Sequence, residues 1–155
     1  MTLQSFKLAA SLCLVAATGV AFAAPQHTQK PTSGAVSTVQ IPELEPGKTI
    51  LGQDFTYPTG APLLKSKIVD VPPGQDIEWH KHAIPVFAYI MSGELVVDYG
   101  SKGTRRIKAG ESYIEAINWC HHGQPVGNKP VKLLVLYLGQ QNPDQIKPER
   151  CLKPE

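Results

Sequence analysis

The sequence has little charge, few aromatic residues and little helical periodicity. Charged residues make up 18% of the 155 residues, and fifteen basic against thirteen acidic side chains give a formal net charge of +2. A nucleic-acid-binding protein is expected to carry a larger basic excess, so the composition argues against that class of partner. Aromatic residues are 7% of the chain, which also has fourteen prolines and thirteen glycines. This composition favours turns and short strands over a helical bundle.

Long hydrophobic runs are missing after the amino-terminal segment. Lys7 precedes an apolar run from Leu8 to Val20, and a small-x-small cleavage site ends at Ala23. This pattern predicts a signal peptide over residues 1–23. We therefore expect a periplasmic or secreted protein that has no membrane contact after cleavage.

Cysteine is scarce as well, since only Cys120 and Cys151 follow the predicted cleavage site. In an oxidising compartment these two residues can pair. The sequence leaves the bridge open, because it does not show whether the two side chains approach each other.

The remaining chain divides into three parts by composition. Residues 24–46, rich in Pro, Gln, Thr and Ser, predict a flexible lead-in. Between residues 47 and 140, short apolar runs alternate with turn residues, which predicts an all-β domain of antiparallel strands, a sandwich or a barrel. Residues 141–155 contain three prolines and predict an irregular tail.

Four of the five histidines lie in one stretch of the chain. Side chains alternate along a strand, so Glu78, His80 and His82 are expected on one face. Two imidazoles spaced in this way can reach one metal ion, and both are mostly neutral at pH 7. His121 or His122 could supply a third ligand, but His-x-His by itself is a weak signal.

The spacing of these residues resembles the two motifs of small single-domain bacterial cupins. The positions that carry the resemblance are Gly74, His80, His82, Val86 and Gly93 in the first motif and Gly110, Ala116, Asn118, His121 and Pro125 in the second. The resemblance implies an antiparallel cupin-type β-barrel, a jelly roll, over residues 47–140 with extended terminal segments. It also implies a divalent metal ion inside the barrel and a homodimer.

The departures from the motifs concern the metal site. Val86 stands where the family has a glutamate ligand, and the proline, glycine and asparagine of the second motif fall at Ala116, Asn118 and Pro125. The resemblance then implies a three-histidine set of ligands, His80, His82 and His121. Iron, manganese, zinc or nickel are the candidate ions. Without a carboxylate ligand the ion is expected to keep its full double charge and an open position.

Two carboxylates are candidates for a proton acceptor, Glu78 and Glu115. Glu78 could also act as a carboxylate ligand or as a partner of His80, and a solvated carboxylate at the barrel rim is an equal alternative for it. For Glu115 a solvated side chain is the favoured interpretation. Val86, Ala88 and Ile90 are expected to form an apolar wall, which suits a small molecule rather than a polymer.

The sequence supports more than one function. The first hypothesis is a metal-dependent enzyme acting on a small molecule, with dioxygenase-like chemistry or isomerase- or hydrolase-like Lewis-acid chemistry. The alternative is a cupin that binds a metal or a small ligand without turnover. A metal-free pocket for an organic anion and a purely structural domain are further hypotheses.

Overall fold

Residues 36–141 and 146–155 are the part of the chain that the structure, a computed structural model, describes. Its strands are β1 (Pro62–Val71), β2 (Ile77–Lys81), β3 (Val86–Ser92), β4 (Glu94–Asp98), β5 (Thr104–Lys108), β6 (Ser112–Ile114), β7 (His121–Pro125), β8 (Val131–Gln140) and β9 (Glu149–Arg150). A 3-10 turn, Gly100–Lys102, lies between β4 and β5. The predicted signal peptide, residues 1–23, lies outside the described residues, as does the first half of the predicted lead-in.

The strands form two antiparallel sheets. One has the order β1-β8-β3-β6, and the other has the order β5-β4-β7-β2-β9. The chain passes between the sheets at most of its turns, which is the topology of a jelly roll. The predicted all-β jelly roll is confirmed. Residues 36–45, the described part of the amino-terminal segment, have no regular secondary structure, as expected for an extended segment.

Alternation along the strands builds the core between the two sheets. Every second side chain of the central strands is buried, as Val86, Ala88, Ile90, Leu95, Val97, Leu133, Val135 and Tyr137 show. Full burial of an aliphatic side chain of this size stabilises a fold by about 1.5–3 kcal/mol. The inward faces of β3, β4 and β8 therefore form a packed core next to His80 on β2 and His121 on β7.

The turn between β3 and β4, where the chain passes from one sheet to the other, depends on a glycine. Gly93 has φ of 81°, and a Cβ atom there would collide with the carbonyl oxygen of Pro130.

Backbone contacts divide the chain into residues 1–37 and residues 38–155, and all strands belong to the second unit. Within the described residues, helical structure is nowhere long and apolar enough to cross a membrane.

The carboxyl-terminal tail is more ordered than the sequence predicted. Residues 141–155 were expected to be irregular, but Glu149 and Arg150 form β9 along the edge of β2. Cys151 continues this contact, since its amide donates to the carbonyl of Trp79 at 3.2 Å and its sulfur is bonded to Cys120. The disulfide that the sequence left open therefore holds the tail beside the histidine strands.

Candidate metal centre

Three histidines of the second sheet converge on one point. His80 on β2 lies directly opposite His121 on β7, and His82, just after the end of β2, forms an isolated bridge with Ile117. One nitrogen from each imidazole lies within 4.8 Å of the others. His82 and His121 are buried, with relative exposures of 6% and 3%, and His80 is half-buried. The set predicted by the resemblance is thus brought together between the sheets.

A bulge in β2 decides which side chains share this face. Ile77 pairs with Gly123 and His80 with His121, so β2 has one residue more than β7 over this interval. The extra residue puts Ile77 on the side of His80 and turns Glu78 outward. Glu78 is exposed and pairs with Arg150 at 2.8 Å. The expectation that Glu78 joins the histidines is therefore wrong, because simple alternation fails across the bulge.

Backbone carbonyls fix the imidazole tautomers at two of the three positions. The Nδ1 atom of His80 lies 2.7 Å from the carbonyl oxygen of Glu78, and that of His121 lies 2.9 Å from the carbonyl oxygen of Trp119. A neutral ring that donates from Nδ1 carries its lone pair on Nε2. Each ring is thus oriented with Nε2 available as a metal ligand.

Burial keeps the three imidazoles neutral. Desolvation lowers the pKa of His82 to about 2 and that of His121 to about 4. The pKa of His80 is also lowered, first by desolvation and then by the nearby His121. Since a metal ion binds the neutral ring, no proton has to be removed from these side chains at pH 7. The donor set therefore fits a divalent ion that prefers imidazole nitrogen.

His122 faces away from the cluster, although it neighbours His121 in the sequence. Its Nε2 atom lies 2.7 Å from Asp76 Oδ2, and its ring stacks on Trp79 with centroids 5.4 Å apart. Successive residues of a strand point to opposite faces, which accounts for the different roles of the two histidines.

A cavity of about 100 Å³ adjoins the histidines. Apolar side chains form most of its lining, among them Ile77, Val86, Ala88, Leu95 and Val97. The expected wall from β3 is confirmed for Val86 and Ala88, whereas Ile90 is fully buried in the core without reaching the cavity. Lys67 also lines the cavity, with its ammonium group 5.3 Å from the ring centroid of Tyr137.

Glu115 is buried in the cavity lining, with a relative exposure of 6%. The favoured interpretation of a solvated carboxylate is therefore wrong. The hydroxyl of Tyr99 and the amide of Ala116 both donate to Glu115 Oε1, each at 2.7 Å. Burial raises the pKa of Glu115 to about 7, and the two hydrogen bonds oppose this shift. Glu115 Oε2 lies 3.4 Å from His121 Nε2.

Sequence reasoning missed two residues that support this arrangement. Tyr99 ends the inward row of β4, so alternation could have placed it inside, but nothing in the sequence pairs it with Glu115. Gln53 holds the turn before β7, donating to the carbonyl of Ile117 and accepting from its amide. In that turn Asn118 has φ of 53°, at the position where the family resemblance implies glycine.

Comparison with known proteins agrees with this architecture. A family model described as the cupin domain matches residues 67–137. Residues 67–137 form a cupin domain. No curated protein matches this sequence.

Solved structures similar to this cupin include enzymes of larger size. A DMSP lyase, DddQ from Ruegeria pomeroyi, is 21% identical, with 59% of this chain and 45% of that chain covered and a TM-score of 0.50. An oxalate decarboxylase from Lactobacillus farciminis is 25% identical, with 49% and 24% covered and a TM-score of 0.45. A cupin-2 protein from Shewanella frigidimarina is 22% identical, with 47% and 68% covered and a TM-score of 0.41.

These likenesses concern the fold alone. The chain covers less than half the length of the DMSP lyases and oxalate enzymes it matches. Metal, substrate and activity of this cupin therefore have to be argued from its own residues.

The buried histidines make the stability of the metal-free cupin depend on pH. The unfolded chain binds protons near pH 6.5 at His82 and His121, but the folded chain does so only near pH 2 and pH 4. Their contribution to stability is present above pH 6.5 and is lost on acidification, by about 2 kcal/mol each between pH 7 and pH 5. Glu115 has the opposite sign, because its folded pKa of about 7 is above the unfolded value of 4.5.

We expect the metal-free cupin to be at least about 2 kcal/mol less stable at pH 5 than at pH 7, because Glu115 offsets only one of His82 and His121 and the lowered pKa of His80 adds to the loss. Denaturant unfolding of chelator-treated protein at both pH values measures this difference. The His82→Gln variant should show a smaller difference, because it lacks one of the titrating groups. A gain in stability on acidification would contradict the account.

Proposed function

We propose that this cupin binds one divalent metal ion through His80, His82 and His121 and uses it to bind a small molecule. The observation that carries the proposal is the convergence of three neutral imidazole nitrogens within 4.8 Å beside a cavity. When bound, such an ion supplies Lewis-acid or redox chemistry at an open position. The chain's own residues orient the ligands and exclude water from one side.

The proposed ligand is small and carries a negative charge. A cavity of about 100 Å³ leaves no room for a polymer. Its walls are mostly apolar, whereas Lys67 places a positive charge at its edge. With a divalent ion present, the positive charges exceed the single carboxylate of Glu115, so an anionic group is favoured.

The Lys67→Met variant tests the preference for an anion. We expect zinc-loaded variant protein to bind acetate about fivefold more weakly than the zinc-loaded natural protein, a loss of roughly 1 kcal/mol of charge interaction. Calorimetric titration with acetate and with acetamide measures the effect, because acetamide has a similar shape without the charge. Binding of acetamide should be unchanged, and an equal loss for both probes would contradict a charge effect.

Elemental analysis of protein purified without a histidine tag tests the metal site directly. We propose about one equivalent of a divalent metal per chain. Assays of the loaded protein with thiols, dicarbonyls and phenolic compounds then distinguish an enzyme from a binding protein.

A cupin that binds without turnover is the second candidate. Among the described residues that line the cavity, Glu115 is the one carboxylic acid, and one of its oxygens is occupied by Tyr99 and Ala116. Glu78, the other candidate proton acceptor, lies outside the cavity. This shortage of free acid–base groups favours metal-assisted binding or chemistry that needs no protein base.

We also propose export and self-association. The pattern of residues 1–23 supports a cleaved signal, and the disulfide between Cys120 and Cys151 supports an oxidising compartment such as the periplasm.

The edge strand β1 has two large exposed apolar side chains, Leu64 at 62% and Ile68 at 59%. A homodimer through this face would cover them.

A further inference from the structure

The two oxygens of the Glu115 carboxylate have different surroundings. Both hydrogen-bond donors in contact with it, the Tyr99 hydroxyl and the Ala116 amide, lie 2.7 Å from Oε1. Oε2 instead points towards His121 Nε2 at 3.4 Å. The side chain is buried in the same cavity wall as the histidines. Its orientation is therefore fixed from one side, and the second oxygen is directed at His121, one of the three histidines.

The atoms that face each other across this gap are both acceptors. His121 donates from Nδ1 to the carbonyl of Trp119, which leaves a lone pair on Nε2. An ionised carboxylate also has only lone pairs to offer. Two buried acceptors directed at one another are stable when a cation or a proton lies between them.

We infer that Glu115 is a fourth ligand of the metal ion held by His80, His82 and His121. This inference rests on the three-histidine site of the proposed function. Two atoms that are each about 2.1 Å from one ion lie about 3.0–3.4 Å apart at ligand angles of 90–110°. The separation of 3.4 Å between Glu115 Oε2 and His121 Nε2 agrees with that spacing.

The strand register places Glu115 beside a position where a carboxylate is missing. Strands β3 and β6 are antiparallel, and the Glu115 amide donates to the carbonyl of Val86 at 2.8 Å. Side chains directly opposite each other on neighbouring strands have Cβ atoms about 4.5–5.5 Å apart. Val86 and Glu115 both line the cavity, so a carboxylate on either strand could approach the same point.

The inference changes the expected charge of the site. The sequence alone predicted an ion with its full double charge, because Val86 stands where the family resemblance implies glutamate. A carboxylate ligand from the residue after β6 reduces the charge of the complex by one unit and weakens the attraction between the ion and an anionic substrate. Lys67 then contributes a larger share of the attraction for an anion.

The Glu115→Gln variant removes the charge but keeps an acceptor for Tyr99 and Ala116. We expect its affinity for Co²⁺ to fall at least about 10-fold, because loss of a group that only supports a metal ligand already costs about 10- to 100-fold. The visible absorption spectrum of bound Co²⁺ should change as well, because the ligand set changes. Glu78→Gln is the matched control, since that exposed carboxylate should affect neither affinity nor spectrum.

Two further variants keep the test decisive. Glu115→Asp retains the charge and shortens the side chain by one methylene. If Glu115 is a ligand, the Co²⁺ spectrum of this variant should change; if Glu115 acts only as a distant charge, the spectrum should stay the same. The Val86→Glu, Glu115→Gln double variant places the carboxylate on the neighbouring strand. It should recover part of the affinity, because a carboxylate at position 86 can reach the same ion. Circular dichroism reports whether each variant is folded.

The outcomes separate the inference from the proposed function. If Glu115→Gln and Glu115→Asp bind Co²⁺ with natural affinity and spectrum while binding still requires His121, the inference is overturned and the three-histidine site stands. A proton then occupies the gap between Glu115 and His121. If the natural protein binds no Co²⁺, both the proposed function and the inference fail.

Discussion

The His121→Ala variant is expected to bind divalent metal more than about 100-fold more weakly than the natural protein. Loss of a supporting residue alone lowers metal affinity about 10- to 100-fold, and His121 is a direct ligand in the proposed site. Only two imidazoles would remain, His80 on β2 and His82 just after it, and the convergence of β2 with β7 on one ion would be lost. Competition with a chromophoric chelator measures the affinity of each protein.

His122→Ala provides the matched control on the same strand. This side chain stacks on Trp79 and pairs with Asp76 on the face away from the cluster. Its removal should leave metal affinity unchanged, although the hydrogen bond to Asp76 is lost. Equal loss in both variants would indicate general damage to β7, and full binding by His121→Ala would refute the assigned ligand set.

Alternation predicted the parts of the site that lie on regular strands. His80 and His82 share the cavity face, and Val86 and Ala88 form the wall opposite, because pleating fixes side-chain direction with a period of two. By the same rule Glu78 should share this face, but it lies across the bulge in β2. One extra residue there reverses the alternation of side chains between the two faces. A bulge depends on strand pairing, which a single sequence does not show.

The burial of Glu115 could not be predicted for a different reason. It follows β6, a strand of three residues, and its environment comes from Tyr99 in the other sheet and Val86 on the neighbouring strand. Local hydrophobicity around a carboxylate does not identify such distant partners. A buried carboxylate that is stabilised by specific hydrogen-bond donors is a property of the assembled fold.

The disulfide between Cys120 and Cys151 is expected to contribute about 3–4 kcal/mol to the stability of the fold. It closes a separation of 31 residues, and the loop-entropy model gives this magnitude for a loop of that size. The Cys120→Ser, Cys151→Ser double variant should therefore unfold at a lower denaturant concentration with little change in the slope of the transition. The natural protein with a reductant should behave like the variant, which separates the bond from the serine substitutions.

The same bond is expected to affect the metal centre less than it affects stability. Cys120 precedes His121, and the tail that Cys151 anchors runs along β2, where Arg150 lies opposite His80. In the reduced protein β9 would be held to β2 only by its backbone pairing and ion pairs, so the His80 side of the cluster would be less rigid. We expect a severalfold loss of metal affinity on reduction, well below that of His121→Ala, because all three imidazoles are retained. A loss as large as that of His121→Ala would mean that the tail, rather than the barrel, positions the ligands.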